Sequence, residues 1–141
     1  MSEMKSKKRS FLLEVPAADL FDKLTILQIK EERFREDHER HDLVIDELNG
    51  LLFNIDSLFR ENPELSTVVA ELKKVNELIW VLEDKISDLI SQDLFQFDFV
   101  DANIQVRRYN KERFLLKNRI SALLDSRLIE VKHYGSRAAG S

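Results

Sequence analysis

Two long stretches of the chain carry hydrophobic residues at alternating steps of three and four. The first runs without a break from Leu65 to Leu89, and the second runs from Phe99 to Leu123 with the charged Arg113 in line. A period of about 3.5 residues is typical of helices that pack along their whole length in bundles and coiled coils. The pattern therefore predicts two long helices, which are the third and fourth along the chain.

A weaker form of the same pattern predicts two shorter helices upstream. The first is expected over about Ala17–His38, and the second carries its apolar side over Val44–Phe59. The second helix ends at Asn62-Pro63, because proline disfavours helical geometry in the residue before it. The highly charged stretch 35–46 contains the turn between the two helices. Four helices with short connections predict an all-α, antiparallel four-helix bundle.

The pattern also divides the chain into one domain and two tails. Residues 1–10 are predicted to be a disordered basic tail, residues 11–134 a single helical domain, and residues 135–141 a second disordered tail. Two short apolar segments, 11–15 and 128–132, could pair as a small two-stranded ladder. The third helix alone would also suit a coiled-coil homodimer. We favour the closed bundle, because all four helices have an apolar face.

Composition narrows the functional classes. The 141 residues and 16.6 kDa suffice for one core, and only 3 Gly and 2 Pro argue against a many-stranded fold. The absence of Cys excludes disulfides, thiolate zinc sites and cysteine nucleophiles. A net charge of −4 gives no general attraction to nucleic acid. No apolar run approaches the ~20 residues that span a bilayer, and no export signal is recognisable, so we expect a cytoplasmic protein without cofactor or metal.

The candidate chemistry lies where polar side chains interrupt the apolar faces of the predicted helices. On the third helix, Asn76 and Glu83 lie two turns apart on one side, with Trp80 between them. On the fourth helix, Arg113 occupies the apolar seam itself. Two lysines of the first helix, seven residues apart, flank its seam. Polar groups at such positions must pair with one another or meet water or a ligand, because an isolated buried charge is very costly.

Counting about 1.5 Å per residue from the turns places these side chains at similar depths. Glu83 is then level with Tyr109, and both Asn76 and Lys23 are level with Lys117. The sequence therefore predicts one polar cluster in the middle of the bundle, with Trp80 as a candidate apolar wall beside it. Its members are Lys23, Lys30, Asn76, Glu83, Asp84, Tyr109, Asn110, Arg113 and Lys117.

The cluster admits two interpretations. Four cations against two carboxylates leave a formal surplus of positive charge, which suits a carboxylate or a phosphate of a small ligand. Alternatively, Glu83 and Arg113 form a structural ion pair that fixes the register of the helices, while the lysines extend to solvent. Neither interpretation assigns a catalytic residue.

Four separated motifs give the chain a resemblance to a family of small, uncharacterised bacterial helical proteins. Segment 22–33 reads DKLTILQIKEER and matches the family's D-K-[LI]-T-I-L-x-I-K-x-E-R signature in full. Segments 75–86, 110–117 and 125–134 match its later motifs, except for Lys111 in place of an acid, Asp125 in place of a glycine and Val131 in place of a glutamate. Such proteins are found near sugar-transfer genes, so the resemblance implies a context of surface-polysaccharide metabolism.

Three functional hypotheses follow. The first is a non-catalytic accessory domain that binds a small anionic ligand, such as a sugar phosphate or nucleotide sugar, or a partner protein. The second is a small helical enzyme acting on an anionic metabolite, similar in style to chorismate mutase, whose buried cations stabilise charge in a rearrangement. The third is a structural module that forms a homodimer through the second or third helix.

Overall fold

The all-α four-helix architecture expected from the sequence is confirmed. The computed structural model describes the backbone of residues 9–140 and the side chains of residues 9–124. Its four helices are α1 (Ala17–Arg33), α2 (His38–Glu61), α3 (Leu65–Ser91) and α4 (Phe97–Gly140). Within residues 9–140 no strand is formed.

The possible two-stranded ladder is wrong. Residues 11–15 have no regular secondary structure, and residues 128–132 continue α4. The physical reason is that no Gly or Pro stands between Phe97 and residue 134 to stop the helix. The backbone of α4 continues past the predicted domain end to Gly140. The predicted tail 1–10 falls mostly on residues outside the described part of the chain.

The first helix is shorter than predicted, because the charged stretch that follows it supplies a cap for the next helix. α1 ends at Arg33, and the Asp37 side chain accepts a hydrogen bond of 3.2 Å from the backbone N–H of Arg40. An aspartate in this position satisfies a free N–H group in the first turn of a helix, which favours starting α2 at His38.

The turn between α3 and α4 depends on a left-handed residue. Asp93 has a φ of 56°, and the N–H of Leu94 donates to the carbonyl of Leu89 at 2.9 Å. The N–H of Asp93 also donates to the carbonyl of Ile90 at 3.1 Å. These two bonds form a Schellman motif, which satisfies the last carbonyls of α3.

α1 lies at the centre of the arrangement, since it contacts each of the other three helices. α2 packs on α1 and on an edge of α3, without contact to α4 in the described part of the chain. The shared core is formed by fully buried side chains of three helices, with the Phe21 ring edge-on to Phe59 at 5.3 Å. Its largest members are Phe21, Leu24, Leu65, Leu72 and Ile120.

The α3–α4 hairpin extends beyond the end of α1. Phe34, which follows α1, packs its ring against Trp80 with 6.5 Å between centroids. Farther along, α3 and α4 pack only on each other, around a separate small core of Ile86, Ala102 and Val106. We call residues 86–106 the hairpin tip, and the four-helix part below it the body.

Candidate functional site

The most buried polar groups of the described chain form one network between α1, α3 and α4. Asp22 and Thr25 of α1 and Asn76 of α3 are buried, with exposed fractions of 8%, 0% and 2%. Arg113 of α4 reaches them from the side and keeps about a third of its side chain exposed (31%). We call these four residues the polar network.

A chain of directed hydrogen bonds holds the network together. The Arg113 guanidinium grips the Asp22 carboxylate with two parallel bonds, from Nε to Oδ1 at 2.9 Å and from Nη2 to Oδ2. The Asn76 amide donates from Nδ2 to Asp22 Oδ1 at 3.1 Å and to Thr25 Oγ1 at 2.8 Å. The Thr25 hydroxyl in turn donates to the backbone carbonyl of Asp22 at 2.7 Å. The bidentate geometry makes this the strong form of an ion pair.

The same contacts set the protonation of the pair. Burial alone would raise the pKa of Asp22, but hydrogen bonds from Arg113 and Asn76, with the nearby charges of Arg113 and Lys117, lower it below its usual value. The hydrogen bonds to Asp22 raise the pKa of Arg113. Asp22 is therefore a carboxylate whose lone pairs are already engaged, which makes it a poor general base.

One atom of the network lacks a partner. Among the described groups, Asn76 Oδ1 is buried without a hydrogen bond. An unsatisfied buried carbonyl oxygen costs on the order of 1–3 kcal/mol. Asn76 therefore contributes less to stability than its two donated bonds suggest.

The structure brings together only part of the predicted cluster. Asn76 and Arg113 meet through Asp22, and Lys117 lies one turn away, where its ammonium pairs with Asp19 at 2.8 Å. Tyr109 is half-buried against the main core, and Lys30 is half-buried on α1. Among the described side chains, Lys30 has no ion-pair partner.

The predicted Glu83–Arg113 ion pair is wrong, because Asp22 takes Arg113 and Glu83 is exposed. Lys23 and Asn110 also lie apart from the network. Lys23 points to α2 and pairs with Glu47 at 2.8 Å, and Asn110 is exposed.

Asp84 and Trp80 belong to a different group of contacts. Asp84 is 3.6 Å from the Arg33 guanidinium, which also lies 5.6 Å from the centre of the Trp80 ring. Together with the Phe34 ring, these residues close the end of α1 against α3. Trp80 is thus a packing residue at the top of the body, and does not form a wall of the polar network.

Three of the four cations in the predicted cluster are neutralised, and Lys30 is the exception among the described side chains. Arg113, Lys117 and Lys23 each have a carboxylate partner, on Asp22, Asp19 and Glu47. None of these three acids belongs to the predicted cluster, whose two carboxylates are Glu83 and Asp84. The signal for Asp22 and Thr25 was present, since Ala18, Asp22, Thr25 and Ile29 recur at steps of four, three and four and are all buried.

The surface offers a different feature, a groove between α3 and α4. Two adjoining cavities of about 490 and 400 Å³ share Arg119 in their walls. Arg113 and Lys117 of α4 bond to α1, whereas Leu115 and Arg119 line the groove, so the groove lies on the side of the hairpin away from α1. We call it the outer groove; its upper half is lined by Glu71, Lys74, Val75, Glu112, Leu115 and Leu116.

The described residues contain no candidate metal site. No group of three or more His, Asp or Glu side chains stands together there in a way that could hold a metal ion. No helix described here is long and apolar enough to cross a membrane. Comparison with protein-family models, curated protein sequences and solved structures finds no match.

Proposed function

We propose that this protein is a non-catalytic accessory domain that takes an amphipathic helix of a partner protein into the outer groove. The observation that carries the proposal is a contrast in charge and polarity. Arg113, Lys117 and Lys23 are each paired with a carboxylate, while the groove has an apolar lining in which Leu115 is half-exposed. The resemblance to the family with the DKLTIL signature would give the partner a context in surface-polysaccharide metabolism.

The outer groove has the dimensions of a helix-binding site. Its lining on α3 spans Glu64 to Val75, which at about 1.5 Å per residue is roughly three turns of a docked helix. Leu115 is half-exposed on its floor, and Leu78, one turn above Val75, is also exposed. A helix with apolar residues at i, i+3, i+4 and i+7 would cover this floor.

The rim of the groove constrains the charge of the partner. Glu71 pairs with Arg119 across the groove at 3.1 Å, and Lys74 and Glu112 stand on opposite sides of it. Because both signs occur on both helices, the rim favours a partner helix whose polar flanks carry mixed charges. A partner of one charge sign would meet repulsion at half of the rim.

The small-anion hypothesis has less support from the geometry. A ligand carboxylate or phosphate at Arg113 would compete with Asp22, which already forms two parallel bonds with it. Displacing Asp22 would leave a buried carboxylate without its cation, at a cost of several kcal/mol. The enzyme hypothesis has the same weakness, because it depends on the same cation to bind its substrate.

A displayed library of amphipathic helical peptides tests the proposal. We expect selected peptides to bind the wild-type protein and to lose at least tenfold in affinity for Leu115→Asp, measured by fluorescence anisotropy. The matched control is Phe53→Asp, an exposed aromatic position on α2 outside the groove. Failure to enrich any peptide, or equal binding to Leu115→Asp, would overturn the proposal.

A thermal-shift screen distinguishes binding of a small anion from binding of a partner helix. The probes are sugar phosphates, nucleotide sugars and inorganic phosphate, and we expect none to raise the melting temperature. A rise in the wild type that disappears in Lys117→Ala would favour the anionic ligand over the partner helix.

A further inference from the structure

The hairpin tip exposes six large apolar side chains to water. Phe97 is 77% exposed, and Phe95 is about half-exposed although its ring packs edge-on to Phe99 at 5.3 Å. Contiguous exposed apolar surface marks an interaction site in soluble proteins. The exposed members are Ile90, Leu94, Phe95, Phe97, Val100 and Ile104.

The tip is also purely acidic. Residues 86–106 contain four aspartates and no lysine or arginine. This local charge equals the net charge of the whole chain, −4, so the rest of the molecule is balanced. A partner for the tip is therefore both apolar and basic. The aspartates are Asp88, Asp93, Asp98 and Asp101.

The chain carries a segment that is both basic and apolar just before α1. Segment 5–9 holds three lysines and an arginine, and it leads directly into Phe11-Leu12-Leu13-Glu14-Val15. Phe11, Leu12 and Leu13 are 80%, 102% and 81% exposed. Residues 9–15 have no regular secondary structure, and Pro16 caps the start of α1. We call residues 5–15 the basic-apolar segment.

The apolar part of the segment, residues 11–15, cannot reach the end of the tip in its own molecule. Asp22 contacts Asn76, so Ala17 lies about 8 Å below that level and Ile90 about 21 Å above it, at 1.5 Å per residue. Leu13 is four residues from Ala17 and reaches at most about 14 Å when fully extended. Phe11 reaches about 21 Å, which is short of the roughly 29 Å that separates Ala17 from Ile90, and Phe95 and Phe97 follow at the turn beyond Ile90.

We propose that the basic-apolar segment of one copy of this chain docks on the hairpin tip of a second copy. Segment and tip lie at opposite ends of the molecule, so two copies side by side in opposite directions bring each segment to the other's tip. Such a two-fold arrangement closes on itself and leaves no further tip uncovered. This proposal uses a different surface from the outer groove and does not depend on the partner helix proposed above.

Sedimentation equilibrium of the full chain tests the proposal. We expect a dimer whose dissociation constant rises at least tenfold in Phe11→Ser/Leu13→Ser and at least tenfold in Phe95→Ser/Phe97→Ser. It should also rise with salt, because ions screen the attraction between the basic segment and the aspartates. Phe53→Ser, which removes an aromatic ring of 89% exposure from α2, is the matched control and should leave the dimer unchanged.

The lack of cysteine allows a direct test of which surfaces meet. A Leu13→Cys protein mixed with a Phe97→Cys protein should form a disulfide-linked pair under mild oxidation, faster than Leu13→Cys mixed with Phe53→Cys. A wild type that stays monomeric, a dimer unaffected by both double variants, or equal cross-linking rates would overturn the proposal. Binding of groove peptides to Phe11→Ser/Leu13→Ser should be unchanged, which separates this proposal from the previous one.

Discussion

The body and the hairpin tip share two helices, yet they bury their side chains to different degrees. In the body, α3 and α4 pack against α1, and Leu72 and Ile120 are completely buried. In the tip the same helices have only each other, and the small core of Ile86, Ala102 and Val106 leaves most of the surrounding apolar surface in water. The helical pattern in the sequence is equally regular in both regions. Regular periodicity thus predicts a helix, but it does not predict how many neighbours that helix has.

The same substitution in the two regions should give the largest contrast. Phe21→Ala removes a fully buried ring and its contact with Phe59, and we expect a loss of about 3–5 kcal/mol in the free energy of unfolding. Phe97→Ala, at an exposed position of the tip, should change it by less than about 0.5 kcal/mol. Urea unfolding at protein concentrations low enough to keep the chain monomeric measures both. A large loss for Phe97→Ala would mean that the tip is buried within a single molecule.

Breaking the polar network should cost less than losing the core ring. Arg113→Leu leaves the buried Asp22 without its cation, and we expect a loss of about 3 kcal/mol by urea unfolding at pH 7. The matched change on the same helix is Arg119→Leu, which breaks an exposed pair with Glu71 and should cost less than about 1 kcal/mol. Equal losses would show that burial of the pair is unimportant.

Asp22→Asn should alter the pH dependence of the free energy of unfolding. The folded state holds the pKa of Asp22 below its usual 3.8, so its stabilising effect is present above that value and is lost as the pH falls through the lower, folded value. We expect Asp22→Asn to be less stable than wild type by about 2 kcal/mol at pH 7, with a difference that shrinks below pH 4. Urea unfolding between pH 7 and pH 3 measures it, with the exposed Asp46→Asn as control. A constant difference across this range would contradict the assignment.

The smallest expected effect lies in the turn at the tip. Asp93 adopts a left-handed φ of 56°, which glycine adopts without a steric penalty. Asp93→Gly should therefore raise the free energy of unfolding by about 0.5 kcal/mol. Asp93→Ala keeps the Cβ atom and should give no gain. Thermal unfolding of the three proteins compares them, and a gain for alanine equal to that for glycine would exclude backbone strain as the cause.

The fold was predictable because its signals are local. Unbroken steps of three and four specify α3 and α4 without knowledge of any partner, and Asn62-Pro63 marks the end of α2. The possible ladder at 128–132 is wrong for the same kind of reason. The short apolar alternation at 128–132 is compatible with a strand, but no residue before it can stop α4.

The candidate site was predictable only in part, because its partners come from distant segments. Polar residues in apolar seams correctly pointed to Asn76 and Arg113. The predicted heights are wrong by about one turn: the count makes Asn76 level with Lys117, whereas Asp22 joins Asn76 to Arg113. The path of the chain through each turn decides such heights, and the spacing of residues does not contain it. The sequence prediction misses Asp22 because the apolar seam of α1 through Leu20, Leu24 and Leu27 lies one stripe away from it.

The link between Asp22 and Arg113 also bears on the order in which the molecule forms. The two residues are 91 positions apart in the chain. Until α4 has been synthesised, Asp22 has no counter-ion, and the side of α1 and α3 that α4 covers stays open to water. Contacts between residues so far apart in the chain form late in folding, because closing a large loop costs conformational entropy. A nascent chain that ends at the turn after α3 would therefore hold helices without a finished interior, and translation of the last helix would complete the domain.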